Sequence, residues 1–387
     1  MPRLDQKAAA RLRAKLQSHI DQRRLPGAVS VVAVAGEVEV FDTLGLRDPA
    51  EGAPMQADTV FRIYSMTKPL VSLAALMLAE EGKLQLVDPV AKYLPVMARL
   101  SVAVDEGEGA NAALCTAAPR RAPTVHDLLR HTAGLTYEFL GQSAVQQQYA
   151  AADLADRRRS SAAFCEALAS IPLAHQPGSC WNYSRATDVL GVVLEVVTGQ
   201  SLEVLLRERI LAPLGMKDTA FSLPQSEWQR LAEPFAQCPE SGEAVQMLDA
   251  RVVPAFESGG GGLLSTAGDY IRFLQLMRGK GTVDGVRLVS PTTIAWMTAD
   301  HLGAIPARGD LLAPGHGFGL GFGVGAHAGL APQPGSPGMY YWSGIGGTSF
   351  FVDPAQDLFA MLLTQAPNQR IYYRNLFRHM VYAALDV

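Results

Sequence analysis

Leu4, Ala8, Leu12, Leu16 and Ile20 recur at intervals of four between charged positions. One apolar stripe of this kind predicts a first helix able to lie across a sheet. The pattern then changes: two valine-rich stretches, 28–35 and 38–41, are parted by Gly36-Glu37 and predict a β-hairpin. Residues 65–81 carry leucine, alanine and methionine at helical spacing and stop at Gly82, a residue suited to a left-handed helix end. Being apolar nearly all round, that helix belongs at the centre of the molecule. From 84 to about 251 the chain gives helical patterns broken by turns, among them 125–131, 162–170, 188–198 and 202–214. Within this region, 102–123 combines alanine, glycine and acids with little periodicity and reads as an exposed loop or insertion. After the glycine run 258–262, a helix is predicted over 267–277, strands over 340–342, 349–352 and 359–364, and a closing helix over 371–385. A sheet begun at one end of the chain and completed at the other predicts an α/β fold of two parts. A discontinuous α/β domain, 1–83 and 252–387, is interrupted by an inserted α-helical domain, 84–251, and the cleft between them is the natural site.

Composition narrows the function classes. The chain has 387 residues, 48% of them hydrophobic and 18% charged, enough to build a large core. Its net charge of -4 comes from interspersed acids and bases, with basic clusters only as short as Arg157 to Arg159, so nucleic acid is not an expected partner. The longest strongly apolar run, 70–78, is about half of the ~20 residues that a membrane-spanning helix needs. No basic stub followed by an apolar stretch and a cleavage site opens the chain, and Cys115, Cys165, Cys180 and Cys238 form no C-x-x-C pair. These signs predict a soluble, cytoplasmic protein with free thiols; nothing in the pattern specifies an oligomeric state.

The sharpest chemical signal is Ser65-Met66-Thr67-Lys68 at the opening of the apolar helix. Residues three apart share a helix face, so the Ser65 hydroxyl and the Lys68 amine can meet. At a helix amino end the hydroxyl also lies in the positive end of the dipole, near unpaired N–H groups. Alone, the tetrapeptide is equally what a serine cap followed by an exposed lysine would give. For Lys68 to act as a base near neutral pH, its pKa must fall by roughly 3 units, about 4 kcal/mol, which burial can supply. A phenol would help relay the proton, and Tyr183, before the helix that starts near Asp188, can project into the cleft. There is no Gly-x-Ser-x-Gly elbow and no H-E-x-x-H, and the glycines of 317–323 read as a glycine and aromatic strand rather than a dinucleotide loop. No metal and no cofactor is expected, and His131 reads as a structural part of its turn.

Taken in order, 61–69 (with Ser65-Met66-Thr67-Lys68), 127–135 (Asp127 to Leu135), Tyr183-Ser184 leading into Asp188, Pro213-Leu214-Gly215-Met216, Gly260-Gly261-Gly262-Leu263, Tyr341-Trp342-Ser343-Gly344 and Val352-Asp353-Pro354 resemble the family VIII carboxylesterases, esterases built on the class C β-lactamase fold. The resemblance spans nearly the whole chain. It implies a β-lactamase/transpeptidase-like fold, an antiparallel sheet flanked by helices with an inserted all-α domain. It further implies Ser65 as nucleophile, Lys68 and Tyr183 sharing the acid/base work, an oxyanion hole from the N–H groups of Ser65 and Ile345, and substrate contacts at Trp342 and Gly344. Two departures bear on substrate: Tyr183-Ser184-Arg185 stands where β-lactamases resemble Tyr-x-Asn, and Trp342-Ser343-Gly344 stands for Lys-Thr-Gly. An indole in place of a lysine favours uncharged acyl esters over anionic antibiotics, although Trp342 as plain strand packing fits the same pattern. The expected activity is hydrolysis of short-to-medium acyl esters through an acyl-enzyme, with acyl transfer as a side reaction. A β-lactamase or D-amino-acid peptidase is the alternative, and a non-catalytic penicillin-type sensor is a further one, against which the intact Ser65, Lys68 and Tyr183 argue.

Overall fold

The structure, a computed structural model, describes residues 3–104 and 114–386. An eight-stranded sheet runs in the order His316–Phe318, Gly323–Gly325, Tyr340–Ser343, Ser349–Asp353, Leu358–Leu363, Gly27–Val34, Glu37–Asp48, Ala53–Pro54, with every pair antiparallel. The first hairpin and the last strand meet at its centre, Leu358 opposite Val34 and Leu363 opposite Val29. Eleven helices accompany it among the described residues. They are α1 (Gln6–Asp21), α2 (Thr67–Glu80), α3 (Val125–Leu129), α4 (Ala144–Ala151), α5 (Ser161–Ala169), α6 (Ala186–Thr198), α7 (Leu202–Leu206), α8 (Ala212–Leu214), α9 (Ala267–Arg278), α10 (Pro291–Met297) and α11 (Arg370–Tyr382).

The two central strands are buried along their whole length, so hydrophobicity alone does not divide their faces. The pleat does, because successive side chains point to opposite sides. Val29, Val31, Phe359 and Met361 face a large core shared with α2, α6 and α9, whereas Ala28, Val32, Leu358 and Ala360 face a smaller core closed by α1 and α11. Ala8, Leu12 and Leu16 form the buried stripe of α1, and twelve consecutive residues of α2, Thr67 to Leu78, are buried. The central helix therefore sits against one sheet face with the helical block 125–214 packed upon it.

Several boundaries differ from the expected ones. The first hairpin turns at Ala35-Gly36, one residue earlier than Gly36-Glu37, with φ of 53° and 93°. Two successive left-handed residues make the tight turn that matches strand twist, and Ala35 adopts that conformation despite its Cβ. The helix expected over 202–214 is broken by a wider turn at Arg207–Leu211; Pro213 has no N–H to give the carbonyl one turn back, and widening accommodates the loss. Within the expected loop 102–123, Val102–Val104 pairs with Cys115–Ala117 as a small ribbon, while 105–113 lie outside the described residues. The expected single glycine and aromatic strand divides into His316–Phe318 and Gly323–Gly325. α4 and α10 were not expected from periodicity, being only 8 and 7 residues long, although Ser143 with Gln146 forms a capping box that signals the former. All four cysteines are unpaired. No single helix among the described residues is long and apolar enough to cross a membrane.

Candidate active site

Ser65 lies in a tight turn, Tyr64–Met66, directly before α2. Tyr64 has a φ of 45°, a left-handed conformation rare for a side chain of this size, and its phenol accepts a 2.8 Å hydrogen bond from the Leu248 amide that fixes it there. Ser65 thus points away from the helix axis, while Lys68, in the first turn of α2, returns to the same side. The Lys68 ammonium is fully buried and donates to three acceptors: the Gly260 carbonyl at 2.6 Å, the Tyr137 phenol at 3.0 Å and Ser65 Oγ at 3.2 Å. An ammonium has three protons, so this set is complete. Burial pushes its pKa from 10.5 down to about 7; Asp188 opposes the shift and Arg185 adds to it.

The carbonyl beneath Lys68 is held by α6. Asp188 accepts from the Gly260 amide at 2.9 Å and from Ser258 Oγ at 2.5 Å. A Cβ on Gly260 would stand 2.6 Å from Asp188 Oδ2, so the glycine is required by close approach rather than by backbone shape.

Tyr183 precedes α6 and lays its ring over the amine, with Lys68 Nζ 4.6 Å from the ring centroid. Its phenol accepts a 3.1 Å hydrogen bond from Trp342 Nε1. Burial pushes the phenol well above its ordinary range, against the opposing pull of Ser65 and Trp342, so it is a proton donor at neutral pH. The ring is packed by Trp342 at 5.2 Å, Tyr137 at 5.3 Å and His131 at 4.8 Å. Trp342 is therefore more than strand packing: its indole is tied to the phenol. His131 does belong to its turn, with φ of 57° and Nδ1 3.1 Å from Ser184 Oγ, and it also supports Tyr183; burial, then the nearby Lys68, keep it neutral.

Gly344 ends the strand Tyr340–Ser343, and a Cβ there would meet the Ile63 carbonyl and Thr348 Oγ1, each at 2.4 Å. This close fit presses the 344–346 turn against the segment carrying Ser65. The amides of Ser65 and Ile345 have no intramolecular acceptor among the described residues, which leaves both N–H groups free to donate. Ser65, Tyr183, Trp342 and Ile345 line one cavity of about 560 Å³ together with Tyr64 and Phe139, and the buried Lys68 reaches it through its hydrogen bond to Ser65. Tyr137 also lines it, and sequence reasoning missed this residue. No spacing signals it, because its approach to Lys68 depends on the fold bringing together residues 69 apart. Among the described residues no group of three His, Cys, Asp or Glu side chains could hold a metal ion. The arrangement offers a nucleophile beside a neutral-range amine, a phenolic proton donor and two free amides, the parts that acyl transfer requires.

Comparison with known proteins adds the lineage. The family model described as Beta-lactamase matches residues 12–379. Protein Rv1367c of Mycobacterium tuberculosis is 36% identical over 361 residues, covering 91% of this chain and 88% of its own. Esterase EstB of Burkholderia gladioli is 35% identical over 377 residues, covering 92% and 90%. Among solved structures, EstCE1, described as a hydrolase with promiscuous acyltransferase activity, superimposes with a TM-score of 0.81 at 29% identity, over 98% of this chain and 99% of its own.

Proposed function

Since this chain belongs to the beta-lactamase family, we propose that it is a serine carboxylesterase that cleaves acyl esters through an acyl-enzyme on Ser65, with Lys68 and Tyr183 moving the protons. One observation carries this reading: a fully buried lysine, its pKa brought to about 7, hydrogen-bonded to the hydroxyl it would deprotonate. Roughly half of such lysines are neutral at pH 7 and can accept the Ser65 proton as Oγ attacks the ester carbonyl. The carbonyl oxygen, becoming negative, is met by the Ser65 and Ile345 amides. Tyr183, protonated, gives its proton to the departing alkoxide, and water releases the acid by the reverse exchange. EstB, named an esterase, supports an ester as the bond broken.

Acyl transfer to an alcohol or amine is a second outcome of the same intermediate. The aromatic enclosure of Tyr137, Tyr183 and Trp342 favours it by limiting water at the acyl-enzyme, and the acyltransferase activity ascribed to EstCE1 agrees with it. The test is a panel of p-nitrophenyl esters from acetate to laurate, run with nitrocefin and a D-alanyl peptide. Ester turnover should exceed antibiotic turnover, and Ser65→Ala should abolish it while the circular dichroism spectrum is retained. Faster nitrocefin cleavage, or esterase activity surviving Ser65→Ala, would overturn the reading.

A further inference from the structure

Arg370, Arg374 and Arg378 are spaced by four along α11 and line one wall of the cavity. Within ion-pair distance none of them meets a carboxylate among the described residues; their protons go to neutral acceptors instead. Arg370 donates to the Pro367 carbonyl, Arg374 to the Gly344 carbonyl, and Arg378 to the Pro334 carbonyl, the Gln333 amide oxygen and, at 2.7 Å, the thioether of Met339. Arg374 Nε is sealed from solvent and has no acceptor at all among the described residues. A guanidinium desolvated in this way is costly unless a charge partner arrives. The other cation in the cavity is treated differently: Arg185 is paired with both Glu138 and Asp188, which occupies two of the lining carboxylates. A third, Asp310, is exposed.

We propose that this wall is an anion subsite, and that the preferred substrate is an ester bearing a carboxylate, held by Arg374 beside the scissile bond. The inference rests on the esterase reading and deepens it. Trp342 removes a cation from the end of its strand, but Arg374, bonded to Gly344 in the turn that offers the Ile345 amide, restores one on the adjoining wall. A guanidinium carries several N–H groups that suit a carboxylate; with Arg374 Nε sealed and Nη2 given to the Gly344 carbonyl, Nη1, which meets no acceptor among the described residues, is the group left for the anion. Burial lowers the pKa of all three arginines, which an incoming anion would reverse.

The experiment compares kcat/KM for charged and neutral ester pairs: 4-nitrophenyl hydrogen glutarate against its methyl ester for the acyl side, and 4-(butanoyloxy)benzoate against its methyl ester for the alcohol side. At least one anionic ester should be preferred by ~10-fold or more. Arg374→Gln should bring that ratio close to one, and Arg374→Lys should recover part of it. The ratio separates anion binding from support of the Gly344 turn, which would lower both esters of a pair together. A neutral ester hydrolysed as well as or better than both anionic partners, or a preference untouched by Arg374→Gln, overturns the subsite and leaves the esterase reading standing. Calorimetric binding of 4-(butanoyloxy)benzoate to Ser65→Ala, weakened about tenfold by adding Arg374→Gln, would support the subsite even if no ester were turned over, an outcome that would sink the esterase reading alone.

Discussion

In the proposed mechanism Lys68 is the base, and its surroundings would set the pH at which the site becomes competent. Its pKa is lowered, so the amine is protonated below about 7 and free above it. With an uncharged ester, kcat/KM should therefore rise with pH through a midpoint near 7 and level off above; a profile flat between pH 5 and 9 would show that Lys68 is not the base. Tyr137 accepts a proton bond from this amine and so favours its charged form. Tyr137→Phe should shift the rising limb to lower pH, by roughly one unit if the bond contributes the ~1.5 kcal/mol typical of a charged partner. An unmoved limb would reduce Tyr137 to a wall of the cavity. Ser65 and Lys68 were legible in the sequence because their three-residue spacing, across the tight turn that opens α2, fixes their proximity locally. Tyr137 was not, since only packing brings it to the amine, and Trp342 was legible as a residue of the site but not as a donor to Tyr183, which depends on the meeting of two distant segments.

At the scale of elements, the proposed mechanism requires the α2 opening and the 344–346 turn to be held at a fixed separation, so that the two free amides can serve one oxyanion. Gly344 sets that separation: its backbone leaves no room for a methyl group between it and the Ile63 carbonyl. Gly344→Ala should push the turn away from Ser65 and lower kcat by about 10²–10³, the loss expected for one misplaced oxyanion donor, with KM changed far less. A variant that folds and keeps its kcat would show that the turn has slack or that Ile345 is not a donor. Strand and helix positions were legible where period and punctuation agreed, as at α2 with its terminal Gly82. They were less so where the chain departs from its local preference, as at Ala35, whose left-handed φ a sequence reading assigns to the glycine beside it. The widened turn before Pro213 is of the same kind.

Across the whole molecule, the site draws Ser65 and Lys68 from the segment after the first hairpin, Tyr137 and Tyr183 from the helical middle, and Trp342 and Ile345 from the closing strands. Such a site could join two independently stable halves, but the packing argues otherwise. Val29 and Met361 of the sheet and Leu128, Val189 and Leu194 of the helical block belong to one contiguous core, and α2 lies between them with almost no solvent-facing residue. Peeling the helical block from the sheet would expose α2 on one side, at roughly 1.5–3 kcal/mol for each large apolar side chain uncovered. That shared burial couples the two parts, so they should unfold together. Heating followed by circular dichroism, tryptophan fluorescence and residual esterase activity should then give coincident midpoints. Loss of activity well before loss of helix signal would mean that the helical block loosens from the sheet first, and that the Lys68 cradle, built from both, is the weakest part of the fold.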